Sequence, residues 1–278
     1  LKKTIIPLFL FSLVLLIIVP FFGVEIKGAK RWLDFILFRL QPIEIIKPFF
    51  VLITASLISS NRGKNINYSY LFSLIILSMI IFLLLNQPDV GQSILLIITW
   101  VSIVFISGIK ISYILFIFIF FIFCLITMLL IFPEKFGHIV SRLNTFFDPS
   151  KGDSFQTDKA LAAIKQGGLK GQGMGEGILK DSVPEAHTDY IIAVITEEFG
   201  SIISILVITI FLYLSYKIIK NCFKISDENL KISLCGLSSL LIFQTFIHIG
   251  VNTSLLPTTG MTLPFLSYGG SSLVGSSI

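Results

Sequence analysis

Glu185, His187, Thr188 and Asp189 fall within ten residues of one another in the segment 183–200, VPEAHTDYIIAVITEEFG. They stand at an abrupt join. Residues 133–188 are polar and dotted with glycine, whereas from Tyr190 the chain is apolar for about two dozen residues. A carboxylate at a membrane–water boundary can withdraw the proton of a hydroxyl nucleophile. That boundary is also where a lipid-linked substrate presents its headgroup. The plainer alternative is that Thr188 or Asp189 caps the helix that follows. Glu197 and Glu198 lie about two turns further on, and Glu197 shares a face with Asp189 by helix periodicity. Acids inside a membrane are costly and mark function, so a polar cavity running inward from the boundary is expected. A buried structural ion pair is the alternative.

Three further polar groups fall on the same proposed face of the membrane. The first is 27–47, KGAKRWLDFILFRLQPIEIIK. Arg31 and Arg39 can chelate phosphate oxygens and Lys47 can act as a point charge. Glu44 and Lys47 share a helix face, and Pro48 is expected to kink that helix or break its hydrogen-bond ladder. An interfacial anchor, with Trp32 and the bases at headgroup level, is the competing reading. The second is 86–91, NQPDVG, where Asp89 reads as a first-turn charge rather than a catalyst. The third is 256–272, LPTTGMTLPFLSYGGSS, whose prolines and glycines suggest a re-entrant or broken segment. Between 167 and 177 six glycines mimic a phosphate loop, but the run matches neither GxxxxGK[ST] nor GxGxxG. It is read as a mobile loop covering a substrate, with a short amphipathic helix over 158–165.

The elements that must position these residues are membrane helices. Of 278 residues, 54% are hydrophobic and 13% charged, about half the charged share of a soluble domain. Lipid offers no partner to an open backbone, so the class is all-α integral membrane. Apolar runs at 5–22, 45–60, 70–85, 93–107, 111–132, 190–219 and 232–255 give about seven full spans, and an eighth begins near Gly269. With residues 1–3 inside and the long loop set aside, nine basic residues, among them Arg62 and Lys64, face inward against five outward, among them Lys27. This agrees with the positive-inside rule. Cys124, Cys222 and Cys235 lack metal spacing and read as free thiols; His138, His187 and His248 show no zinc pattern.

Taken together, KGAKRW, QPIEIIK, QPDVG, PEAHTDYIIAVITEEFG and LPTTGMTLPFLSYGGSS resemble the SEDS family (shape, elongation, division and sporulation), in the family's order and over nearly the whole chain. The PEAHTD and GMTLPFLSYGGSS forms are more similar to its division branch than to its elongation branch. The resemblance implies a single membrane domain over 1–278. It would be a fragment of a ten-helix protein, from the third helix into the tenth, with 133–188 as a large extracytoplasmic loop. It implies a peptidoglycan glycosyltransferase of the division septum that polymerises lipid II into β-1,4 glycan. The family's essential loop aspartate falls on Asp189, its functional Glu and Lys on Glu44 and Lys47, and its Arg-Trp pair on Arg31 and Trp32. Lys30, His187, Thr188, Ser267 and Tyr268 are the further candidate substrate contacts. Asp189 is expected to act as base, to orient the acceptor, or to hold a divalent cation, magnesium or manganese. The implied partners are a class B penicillin-binding protein and other divisome proteins, with no nucleotide and no nucleic acid. A lipid II flippase using Glu197 and Glu198, or a non-catalytic scaffold, are the alternatives.

Overall fold

The computed structural model describes residues 2–26, 29–35, 38–60, 67–131, 133–148 and 155–277. Lys27, Arg62 and Lys64, counted above for orientation, lie outside the described residues, as do the side chains of Cys124 and His138. Helix α1 (Lys2–Phe22) leads into β1 (Val24–Ile26), β2 (Ala29–Phe35) and β3 (Phe38–Leu40). Then follow α2 (Pro42–Ser60), α3 (Asn67–Asn86), α4 (Val90–Ile106), α5 (Ile111–Ile131), α6 (Pro133–Phe147), α7 (Phe155–Gly167), α8 (Ile191–Cys222), α9 (Glu228–Asn252) and α10 (Gly270–Ser277). The expected apolar runs correspond to α1–α5 and α8–α10. Among the described residues, Thr4–Phe22, Pro42–Ser60, Tyr68–Asn86, Ile191–Cys222 and Glu228–Asn252 are long and apolar enough to cross a membrane, and Val90–Ile106 is a shorter apolar helix. The protein is a multi-pass helical membrane protein.

Two compact units share the chain: residues 1–121, 215–243 and 270–278 in the first, 122–214 and 244–269 in the second.

In the first unit the described strands form one small antiparallel sheet, β1-β2-β3. Its register sets Glu25 opposite Lys30 and Asp34 opposite Arg39. Arg39 Nε lies 3.3 Å from Asp34 Oδ2. The basic cluster at 27–47 is therefore partly a set of cross-strand charge pairs, of the kind that helps fix strand register. Helix α2 runs through Pro48 without a break. Proline has no N–H for the Glu44 carbonyl four residues earlier. That carbonyl instead faces α10, where a Cβ on Gly275 would lie 2.2 Å from it. A glycine is needed there for the two helices to approach.

In the second unit α8 carries a break at Gly200 (φ 84°, ψ 167°). The helical bonds that would cross the break are replaced by a backbone splice with the glycine-rich segment. Gln172 N and Gly173 N donate to the Glu197 and Glu198 carbonyls at 2.9 and 3.0 Å. Ser201 N and Ile202 N donate to the Gly168 and Leu169 carbonyls at 2.9 and 3.5 Å. No buried backbone group can be left unpaired cheaply, and the splice satisfies both sides of the break. It also explains the glycines. A Cβ would meet Thr196 O at 1.9 Å from Gly167, Glu198 O at 2.2 Å from Gly171, and Leu169 O at 2.2 Å from Gly200. The mobile cover expected from this run is corrected: the described segment 168–182 is stitched to α8, and Gly167, Gly171 and Gly177 serve close approach to that helix. Gly171→Ala, at φ +82°, combines a left-handed backbone penalty of about 1–2 kcal/mol with an overpacking cost of about 1–3 kcal/mol. The variant is expected to unfold at lower temperature and to be cleaved by protease within 168–180, where the parent resists.

Candidate functional site

The sequence candidates gather into two clusters, one per unit. Arg31, Trp32, Lys30, Glu44 and Lys47 belong to the first unit; Asp189, His187, Thr188, Ser267 and Tyr268 belong to the second.

The first cluster is a buried polar network. Lys47 Nζ lies 2.8 Å from Glu44 Oε2, one turn apart on α2, and both side chains are almost fully buried. Glu44 Oε1 accepts a hydrogen bond from Gln92 Nε2 at 2.9 Å. Gln92 sits in the first turn of α4, whose N-cap is Asp89. Arg31 Nε donates to the Gln87 carbonyl at 3.1 Å, its Nη2 donates to the Pro88 carbonyl, and Nε stands 3.9 Å from Asp89 Oδ2. Gln87 Nε2 reaches the Leu16 carbonyl at 3.0 Å and ties the turn to α1. The QPD turn thus has a mechanical use: it places Gln92 against Glu44, and Arg31 braces it. Trp32 is half-buried on β2, and Lys30 is exposed. Gln92 was not among the sequence candidates. Its only signal was a polar side chain three residues past Asp89, on a run otherwise apolar.

The second cluster is a turn gripped from behind. The chain closes over Glu185 (φ 56°), whose carbonyl accepts from Thr188 N, Asp189 N and Tyr190 N at 3.1, 3.0 and 3.2 Å. The carbonyls of the three residues His187–Asp189 are then each taken. His187 O accepts from Tyr268 N at 2.8 Å, Thr188 O from Ser267 Oγ at 2.6 Å, and Asp189 O from Asn252 Nδ2 at 2.9 Å. Ser267 Oγ in turn accepts from Leu263 N at 2.8 Å. Fully buried Asn252 also donates to the His248 carbonyl at 2.9 Å and accepts from Ala193 N at 3.1 Å. One asparagine therefore joins the end of α9, the Asp189 turn and the first turn of α8. The broken segment 256–272 supplies the other two grips, with Phe265 in a left-handed conformation (φ 63°). His187 is exposed and Asp189 partly so, while the Tyr268 ring points into the open.

Burial and the neighbouring Asp189 carboxylate push the Tyr190 phenol above its ordinary pKa, and Arg142 on α6 acts in the opposite sense. Arg142 is a cation the sequence reading passed over; its Nη1 donates to the Thr258 carbonyl at 3.1 Å. Asn252 was missed as well, because a lone asparagine in an apolar helix gives no motif. Asn252→Ala takes one donor from the Asp189 carbonyl and one of two acceptors from the Ala193 N–H, which keeps the Tyr190 carbonyl at 3.0 Å. At about 0.5–1.5 kcal/mol for each hydrogen bond lost, a lowered unfolding midpoint is expected, together with activity lost beyond what the residual folded fraction explains. Circular dichroism melts run beside a turnover assay check this.

The acids further along α8 resolve differently from the expected cavity. Glu197 is fully buried and its Oε1 accepts from Leu179 N at 2.7 Å. Glu198 pairs with Lys180 Nζ, and that hydrogen bond raises the lysine pKa above its ordinary value. Glu198 is thus in an ion pair, whereas fully buried Glu197 takes a backbone N–H of the stitched loop instead. Among the described residues no three His, Cys, Asp or Glu side chains gather. A divalent cation at Asp189 would draw its other ligands from substrate phosphates and water, as magnesium commonly does, and no step is routed through it. Cys222 and Cys235 are buried free thiols.

Comparison with known proteins bears on both clusters. A family model described as "Cell cycle protein" and covering FtsW, RodA and SpoVE matches residues 1–278. The "Probable peptidoglycan glycosyltransferase FtsW" of Caulobacter vibrioides is 36% identical over 96% of this chain and 67% of its own length. The protein of the same name from Haemophilus influenzae is 33% identical over 96% of this chain and 69% of its own length. Among solved structures, a chain from a peptidoglycan synthase complex that coordinates polymerization and crosslinking shares the fold at TM-score 0.76. It is 23% identical and matched over 99% of this chain and 77% of that one. The rod shape determining protein RodA of Thermus thermophilus aligns at TM-score 0.66 and 25% identity over 99% and 74%. With the whole length matched and the two clusters built from the blocks that carried the resemblance, the chain belongs to the FtsW, RodA and SpoVE family of cell cycle proteins, the SEDS family.

Proposed function

We propose that this protein is a peptidoglycan glycosyltransferase of the division type, which polymerises lipid II into β-1,4 glycan at the outer face of the cytoplasmic membrane. The observation that carries the proposal is the Asp189 turn. Three successive carbonyls are fixed from behind, so a partly exposed carboxylate is held on a rigid support, as preorganised catalysis requires. Relatives named as glycosyltransferases of this kind support the same reading.

In the proposed reaction Asp189 takes the proton of the acceptor sugar hydroxyl. The freed oxygen attacks the anomeric carbon of the donor, the bond from that carbon to the diphosphate oxygen breaks, and undecaprenyl diphosphate leaves with the bonding pair. His187, Thr188, Ser267 and Tyr268 surround the acceptor side. Ser267 and the Tyr268 N–H act through the turn and are positioning groups. In the first unit Lys47 is the proposed functional cation of the family's Glu–Lys pair, already oriented by Glu44 and Gln92, as preorganised charge requires. Arg31 is a positioning residue that holds the QPD turn, and Trp32 and Lys30 flank it on β2. The partner in this reading is a class B penicillin-binding protein that crosslinks the strands, within the divisome at the septum.

The flippase reading drew on Glu197 and Glu198, whose carboxylates are engaged with the loop. A reconstitution that scores two outputs separates the readings: glycan strands on a gel, and transbilayer movement of labelled lipid II. Glycan without accelerated movement is expected of the wild-type protein with its penicillin-binding partner. Movement without glycan would replace the proposal with transport, and neither output would leave a scaffold.

A further inference from the structure

The stitched loop carries an apolar surface that the site does not use. Leu169, Met174 and Ile178 are 70%, 83% and 74% exposed. Three large apolar side chains on one short segment is unusual for a loop in water, and the splice that holds this segment also fixes its depth. Beyond its break at Gly200, α8 continues to Cys222, roughly 33 Å at 1.5 Å per residue, against a hydrocarbon core of about 30 Å. Lys217, Lys220 and Lys224 mark one end of it. Counting back about 20 residues, the length of a span, reaches Glu197–Gly200, where the helix breaks and the loop is joined to it. Ile202, Ile203, Ile205 and Leu206 are exposed just inside that point, and the Leu169 carbonyl is bonded to Ile202 N itself. Leu169 is thus joined to the exposed apolar stretch of α8 at the level where headgroups begin, and Met174 and Ile178 follow on the same short segment. Lys170, also exposed, lies beside Leu169 and offers a positive charge to lipid phosphate.

We propose that residues 168–178 are an interfacial anchor, with Leu169, Met174 and Ile178 lodged in the leaflet opposite the lysine-rich end of α8 and Lys170 at its phosphates. Apolar side chains flanked by lysine at this depth are the pattern of segments that lie in, rather than cross, a bilayer. The anchor holds the loop, and through the splice the first turns of α8, at a constant depth. It does not depend on glycosyl transfer being the reaction.

The test places tryptophan at Met174→Trp and, separately, at Ile178→Trp in the full protein. Each variant is reconstituted in phosphatidylethanolamine–phosphatidylglycerol bilayers with brominated acyl chains, and the wild-type emission of Trp32 and Trp100 is subtracted. Asp181→Trp serves as the water-facing control. The added emission at 174 and 178 is expected to be quenched by brominated lipid and spared by aqueous iodide, with the reverse at 181. Iodide quenching at 174 and 178 equal to that at 181 would overturn the anchor and put the loop in water. Protection from both quenchers would overturn it too, since protein would then cover the loop. The two substitutions lie on separate turns, so misfolding of one, seen as a lost wild-type melting transition, leaves the other to decide.

Discussion

Lys47→Ala is expected to cost about 3–5 kcal/mol of stability, the usual penalty for breaking a buried ion pair by removing one partner. The reason is local. Glu44 and Lys47 are 2.8 Å apart and almost fully buried, so truncating the lysine leaves a buried carboxylate that keeps the Gln92 amide as a donor but has lost its countercharge. Replacing both partners by uncharged residues of similar shape removes the stranded charge, and such replacements are often neutral. Glu44→Gln with Lys47→Met should therefore recover the melting temperature that Lys47→Ala loses, while glycan synthesis stays absent. Thermal unfolding in detergent beside a polymerisation assay reads both. A double variant as unstable as the single would show that the pair is held by something other than its charge, and an active double variant would remove Lys47 from the chemistry.

The helices were legible because each one repeats a single instruction along its length: apolar side chains for a span, then a turn signal. The sheet at Val24–Leu40 was not, because its strands are short and mix bases with apolar residues. Only pairing shows that Glu25 faces Lys30 and Asp34 faces Arg39. Asp189, Glu44 and Lys47 stood out through motifs. Asn252 and Gln92 did not, since a single amide acquires its meaning from what it touches, in their cases Asp189 and Glu44, which lie 63 and 48 residues away in sequence. The glycines at 167–173 are visible in the sequence, but glycine permits both a mobile loop and a backbone splice, and the partner that decides between them, the break at Gly200, is hidden inside an apolar run. The bond from Leu179 N to Glu197 is hidden for the same reason.

Asp189→Asn is expected to slow glycan synthesis by about a hundred- to ten-thousand-fold, the range that general base catalysis contributes. Stability should be nearly unchanged. The three grips on the turn engage the carbonyls of His187, Thr188 and Asp189, which an amide side chain leaves in place. Fold and chemistry are thus separable at this position, whereas at Lys47 they are not.

The most direct measurement is the initial rate of lipid II polymerisation by the purified protein with its penicillin-binding partner, for wild type and Asp189→Asn at matched folded concentration and saturating lipid II. Glycan from the wild type, with almost none from a variant that melts at the same temperature, is the expected result. A variant that polymerises at the wild-type rate would contradict it and move the reaction away from Asp189.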